Sequence, residues 1–259
     1  MVNLDVHWLE HTLNTYLQNK ASKNAARKHD GYFHPSQAGK CARSLWYTFK
    51  GFVGDPVSGS TQRAFEEGNS IHNLFEKLFA DIGILYKKEG HIEEAPGNLF
   101  NRLNLNIPIR GSFDAIVINP YNKNLYLVEL KSHKDVKDNG NSYAKPWNKL
   151  EAPYIDHVYQ WQLYSFLTDI KKGVIFYINK NTLQYKIFDL NQDMEIINKL
   201  IEKFEDIYTY VNNNKTYPFQ PDENHIWCPY KNQCQLDYLK ETGEDGKQFF
   251  KRSLHITNR

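Results

Sequence analysis

The amino-acid sequence predicts a mixed α/β domain, and three observations carry that prediction. Two pairs of strand-like runs are each joined by a short polar turn. Stretches with helical apolar spacing precede, separate and follow them. No internal repeat or low-complexity tract interrupts the order.

Residues 4 to about 28 read as a helix with a basic end formed by Lys20, Lys23, Arg27 and Lys28. In HPSQAGKCARSLWYTFKG, Pro35 and Ser36 suit a helix start, which places Cys41 and Arg43 inside the helix and Gly51 near its end. The loop GFVGDPVSGS is rich in turn formers. Residues 61–80 follow as a helix, with Phe65, Ile71, Leu74, Phe75, Leu78 and Phe79 at helical spacing. NIPIRGSFDAIVI and LYLVELKS form the first hairpin around NPYNKN. After a polar loop (134–152), residues 156–170 form a helix. GVIFYINK and LQYKIFDL make a second hairpin turning at Asn181, and 192–212 is a long amphipathic helix. The last 45 or so residues read as irregular. The whole chain, 1–259, is expected to be one domain: a core of about 60–190, an N-terminal helical part (1–59), and a C-terminal helix and Cys segment (191–259).

Composition narrows the function classes. Hydrophobic content of 41% and aromatic content of 14% exclude a disordered chain. A net charge of only +2 does not force a basic partner-seeking surface, so any nucleic-acid site must come from local clustering. No stretch approaches the roughly 20 apolar residues of a spanning helix. The N-terminus, with Asp5 and Glu10, is not built like a signal peptide, so an intracellular (cytoplasmic) protein with no membrane partner is expected. Three Cys in a reducing compartment argue against a disulfide framework and leave metal ligation or ordinary burial.

The chemistry centres on the first hairpin. If its loop is 119–124, Ile118 faces Leu125, and four steps back and forward bring Asp114 opposite Glu129 on one face. Lys131, two residues on, shares that face. Opposed carboxylates repel, and a divalent cation between them explains the arrangement: Mg²⁺ takes a few carboxylate oxygens and keeps several waters. A nearby Lys can position or deprotonate the attacking water. Val128 and Leu130 fall on the opposite face and should be buried, and Gly111 leaves room for a close ligand. The bland alternative is a surface hairpin with scattered charges, since Glu–x–Lys is common on strands.

GSFDAI, then 14 residues between the acids, then VELKS resembles the PD-(D/E)xK nuclease superfamily, and within it the RecB-like exonucleases, including the CRISPR-associated RecB-like exonucleases and AddB-type nuclease domains. The resemblance runs from about Pro35 to Cys234. It implies a restriction-endonuclease-like mixed sheet flanked by helices, with a C-terminal segment open to metal stapling. EEGNSIHNLFE matches the family's helix that supplies an imidazole ligand, which points to His72. The carbonyl of Leu130 would join His72, Asp114 and Glu129 around Mg²⁺ or Mn²⁺. YQWQLY matches the Gln–x3–Tyr element, giving Gln160 and Tyr164 at i and i+4 as residues that orient the site and contact DNA. Gln162 is a rival, and an ordinary amphipathic helix is the bland reading, above all for Trp161. SQAGKCARSLWY matches an N-terminal segment in which Cys41 is the first cluster ligand. Arg43 there either binds phosphate or pairs with an acid. In HIWCPYKNQC, Cys228 and Cys234 keep the C-x5-C spacing of iron–sulfur members, but His225 stands where they carry Cys. The centre formed by Cys41, His225, Cys228 and Cys234 is open between a [4Fe–4S] cluster, zinc and no metal.

The function implied is metal-dependent hydrolysis of DNA phosphodiesters, by an exonuclease on single strands or ends, with Lys134 a further DNA contact. The alternatives are a structure-specific endonuclease and a non-catalytic DNA-binding module; intact Asp114, Glu129 and Lys131 weigh against the second. Protein partners in repair, recombination or CRISPR adaptation are what the resemblance would imply.

Overall fold

The structure, a computed structural model, describes residues 7–95, 106–136, 145–219 and 228–244. In chain order the described elements are α1 (His7–Ala25), a short 3-10 turn (Pro35–Gln37), α2 (Ala42–Phe49), α3 (Gly59–Asp81), β1 (Leu85–His91), β2 (Ser112–Ile118), β3 (Leu125–His133), α4 (Ile155–Thr168), β4 (Lys172–Asn179), β5 (Tyr185–Asn191), α5 (Met194–Asn212) and α6 (Lys231–Thr242). The chain divides into two compact units, one of residues 1–31, 40–66 and 203–259, the other of 32–39 and 67–202.

The second unit holds one mixed five-stranded sheet in sequence order, β1-β2-β3-β4-β5. β3 and β4 run parallel, with α4 between them in sequence, and every other pair is antiparallel. Both hairpin turns use one device. Asn119 Oδ1 accepts the N–H groups of Tyr121 (2.9 Å) and Asn122 (3.3 Å), and Asn179 Oδ1 those of Asn181 (2.8 Å) and Thr182 (3.3 Å). Each turn closes on a left-handed residue, Lys123 (φ 62°) or Leu183 (φ 58°).

The two faces of β3 are buried by different helices. Ile71, Phe75 and Phe79, at i, i+4 and i+8 on α3, lie with Ala115, Val128, Leu130, Phe176 and Ile178 in one apolar cluster. Each such side chain, fully buried, contributes roughly 1.5–3 kcal/mol. Phe65, Leu74 and Leu78, which share the helical spacing, are exposed and fall outside that stripe. On the other face α4 buries Trp161, whose Nε1 donates to the Leu127 carbonyl at 3.2 Å; it is a core residue.

Three features differ from the sequence reading. LYKKEGH forms strand β1, whose Lys, Glu and Gly residues conceal it from an apolar pattern. The predicted helix at Pro35 is a single 3-10 turn, and α2 begins only after Cys41, which stands at its N-cap rather than inside it. The C-terminal segment is not irregular throughout: Lys231–Thr242 is helix α6.

In the first unit α2 and α6 are joined by polar contacts. The buried guanidinium of Arg43 pairs with both oxygens of Glu241 (Nη2–Oε1 2.6 Å, Nη1–Oε2 3.2 Å) and donates from Nε to the Tyr47 hydroxyl at 3.2 Å. Tyr47 donates to Asp237 at 2.8 Å, and Thr48 Oγ1 to the Tyr230 hydroxyl at 3.1 Å. Among the described residues no helix is long and apolar enough to cross a membrane.

Candidate active site

The site forms where β2 and β3 part. Their ladder runs from Ile118↔Leu125 to Ala115↔Val128, the register read from the sequence. One step further, Asp114 meets β3 with its side chain: Oδ2 accepts the Leu130 N–H at 2.7 Å. The N–H and C=O of a strand residue point to the same edge, so the Leu130 carbonyl opens on the gap beside Asp114. From α3, His72 Nδ1 lies 3.7 Å from Asp114 Oδ1. Burial pulls the His72 pKa down, but the nearby Asp114 carboxylate outweighs it and the net shift is upward.

Glu129 and Lys131 project toward α4, where Gln160 holds both. Its Nε2 donates to Glu129 Oε1 at 2.6 Å, and its Oε1 accepts from Lys131 Nζ at 2.9 Å. Lys131 Nζ is also 2.7 Å from Glu129 Oε1. Burial first, then the charge of Asp114, pushes Glu129 up to about 7. Lys131 shifts upward too: burial works against it, and the Glu129 and Asp114 charges more than compensate. Lys131 is therefore cationic as the chain stands.

The imidazole and two carboxylates are donor types that a divalent cation takes. Two carboxylates share a buried site with one lysine, and the cost of holding both ionised appears as the raised pKa of Glu129. Oε2 of Glu129 makes no hydrogen bond within the described residues. His72, Asp114 and Glu129 do not yet bring one donor atom each within 4.8 Å of one another, since Glu129 is turned to Gln160 and Lys131.

Several candidates take other places. Gln162 is engaged away from the site: its Nε2 donates to the Asn191 carbonyl and its Oε1 accepts the Asp193 N–H. Tyr164 is buried at 3% exposure, so its ring offers no face to a base. Gly111 leaves no room for a ligand. A Cβ there would lie 2.8 Å from Pro35 Cδ and 3.1 Å from Tyr164 Cε1, so the glycine serves the close approach of those two residues. Arg43, at 1% exposure and committed to Glu241 and Tyr47, is an ion-pair residue and not a phosphate contact. Lys134 is exposed at the end of β3.

Cys41, Cys228 and Cys234 all belong to the first unit, with Cys41 and Cys234 buried. Burial first pushes the Cys234 thiol up to about 11, with Arg43 opposing and Cys228 adding to the rise. Their three sulfurs are not all within 4.8 Å of one another, whereas thiolates on one tetrahedral zinc sit about 3.8 Å apart. His225 lies outside the described residues.

Sequence reasoning passed over Glu76 and His157. Glu76, four residues after His72 on α3, is buried, and burial first, then the charges of Glu89 and Asp114, raises its pKa. The i, i+4 spacing to His72 was the available signal. His157, three residues before Gln160, could have been found the same way.

The sheet and its flanking helices are held in common with a solved protein. The chain shares its fold with the protein SSO0001. That match has a TM-score of 0.52 at 16% identity and covers 86% of this chain and 95% of the other. An alkaline exonuclease from Laribacter hongkongensis matches with a TM-score of 0.48 at 12% identity, over 74% of this chain and 93% of that one. A phage-related exonuclease from Haemophilus somnus 129PT matches with a TM-score of 0.39 at 14% identity, over 70% and 81%. No family model and no curated protein matches the sequence.

Proposed function

We propose that the chain is a metal-dependent deoxyribonuclease of the PD-(D/E)xK type, acting as an exonuclease on single-stranded DNA or DNA ends. The observation that carries this reading is the Gln160 side chain, which bridges Glu129 and Lys131 while Asp114 is pinned to Leu130 and faced by His72. A surface hairpin with scattered charges has no reason to bury a carboxylate, a lysine and an amide in mutual contact.

His72, Asp114, Glu129 and the Leu130 carbonyl would hold Mg²⁺ or Mn²⁺. When bound, such an ion lowers the pKa of water and offsets charge on the phosphate. The protein's own groups do the placing. Gln160 and Glu129 take two of the three hydrogens of the Lys131 ammonium and fix its position. The third can orient the attacking water, while the charge beside it offsets that of a phosphate oxygen. Lys134, exposed just past the end of β3, supplies a cation to the backbone of the bound DNA.

The test is cleavage of end-labelled single- and double-stranded DNA with Mn²⁺ or Mg²⁺. Asp114→Asn and Lys131→Ala are expected to lose cutting by about a thousandfold or more, with the melting temperature little changed. Wild-type rates in either variant, or undiminished cutting in EDTA, would sink the assignment. Stepwise loss of the end label distinguishes an exonuclease from internal cutting.

A further inference from the structure

His157 stands one helical turn before Gln160 and shares the face that α4 presents to β3. Its Nδ1 is 2.6 Å from the hydroxyl of Tyr177, and Tyr177 is the residue paired with Lys131 across the β3–β4 ladder. The same hydroxyl accepts the backbone N–H of Tyr154 at 3.0 Å. A backbone amide can only donate, so it occupies one oxygen lone pair, and we assign the tautomer in which the hydroxyl hydrogen is directed at the imidazole. Nδ1 is then the acceptor, and the ring hydrogen is on Nε2. His157 Nε2 has no hydrogen bond to any described residue, and the ring is only partly covered.

The surroundings suit an anion. His157 lies in the first turn of α4, where the positive end of the helix acts on the same space and the Asp156 carboxylate of that turn partly offsets it. Burial first, then the charge of Lys131 and a smaller contribution from His133, pulls the His157 pKa down to about 3. The ring therefore stays neutral while offering a hydrogen. Two residues beyond Lys131, the buried Nδ1 of His133 is a further polar atom without a hydrogen-bond partner, so polar capacity at this end of the sheet is not used up by the fold.

We propose that His157 Nε2–H binds a non-bridging oxygen of the phosphate neighbouring the one that is cut, with Tyr177 as the positioning residue that fixes its tautomer. The inference rests on the nuclease reading. The rise from His157 to Gln160 along α4 is about 4.5 Å, of the order of one phosphate step along a strand, so the adjacent phosphate is the one assigned to His157. A neutral donor here adds recognition without a second cation to depress Lys131.

Binding of a fluorescein-labelled single-stranded oligonucleotide in Ca²⁺, followed by anisotropy, tests this separately from cutting. His157→Ala is expected to weaken binding by about tenfold or more, as loss of a hydrogen bond to a charged group does. His157→Gln, whose amide nitrogen replaces Nε2, should stay within about threefold, and His157→Asn, which reproduces only Nδ1, should behave like Ala. Tyr177→Phe should weaken binding as well, its melting curve confirming the fold. A single methylphosphonate beside the scissile linkage should cost the wild type the same factor and His157→Ala nothing further. The proposal is overturned if His157→Ala binds as wild type, or if the methylphosphonate costs both proteins equally. Absence of Mn²⁺-dependent cutting by the wild type would instead remove the nuclease reading, while the binding comparison still judges His157.

Discussion

At the residue scale, the decisive quantity is where Glu129 keeps its proton. In the metal-free fold it is held until about pH 7, against an ordinary value of 4.5. The folded state thus binds more protons than the unfolded chain between those values. The contribution of Glu129 to stability is fully present below about pH 4.5 and is lost as pH rises through about 7. A cation must displace that proton, so Mn²⁺ affinity should climb with pH up to about 7 and then level. The measurement is the Mn²⁺-induced rise in melting temperature, expected to be larger at pH 8 than at pH 6 and to lose that difference in Glu129→Gln. Equal shifts at both pH values in the wild type would show that Glu129 is not displaced by the ion.

At the element scale, α2 and α6 show what a sequence conceals. The Asp114–Glu129 register was legible because a hairpin with a short Asn-led turn has one natural pairing, and period-two alternation then assigns every face. The Gln160 contact was legible only as a matched spacing. The choice between Gln160 and Gln162 is made by which one α4 turns toward β3, a tertiary fact. Arg43 was open between phosphate and acid because Glu241 lies 198 positions away in sequence, and β1 and α6 were missed because neither carries an apolar rhythm. Arg43→Ala should cost about 1–3 kcal/mol, since it strips a buried charge from a half-exposed partner and removes packing. DNA affinity measured below the lowered melting temperature should not change. A normal melting temperature with weakened DNA binding would return Arg43 to phosphate contact. The thiols of the same unit give a second test. We propose, from the spacing of Cys41, Cys228 and Cys234 in the sequence, that these thiols hold a [4Fe–4S] cluster. Anaerobically purified protein should be brown, with a broad band near ~400 nm lost in Cys228→Ser. About one zinc per chain in a colourless sample would reverse that choice.

At the scale of the whole molecule, a net charge of +2 sets the terms on which DNA can be held. Long-range attraction from so small a charge is weak, and among the described residues several cations are already matched by acids: Lys20 by Glu66, Arg43 by Glu241, Lys87 by Glu94, Lys180 by Glu67 and Lys199 by Glu195. Binding must then come from a few local contacts at the parting of β2 and β3, namely Lys131, Lys134, the cation held by the carboxylates and neutral donors such as His157. Each neutralised phosphate contributes about 0.7 to the slope of log affinity against log salt on a single strand. A site with two or three cationic contacts should therefore show a slope of about −1.5 to −2, far shallower than that of a strongly basic DNA-binding protein. Lys134→Ala should reduce the slope by about 0.7, whereas His157→Ala should lower affinity at every salt concentration and leave the slope unchanged, because a neutral imidazole releases no counterion. A steep wild-type slope would mean that DNA is gripped across a wider basic surface than this site provides, and a slope altered by His157→Ala would mean that the imidazole binds as a cation.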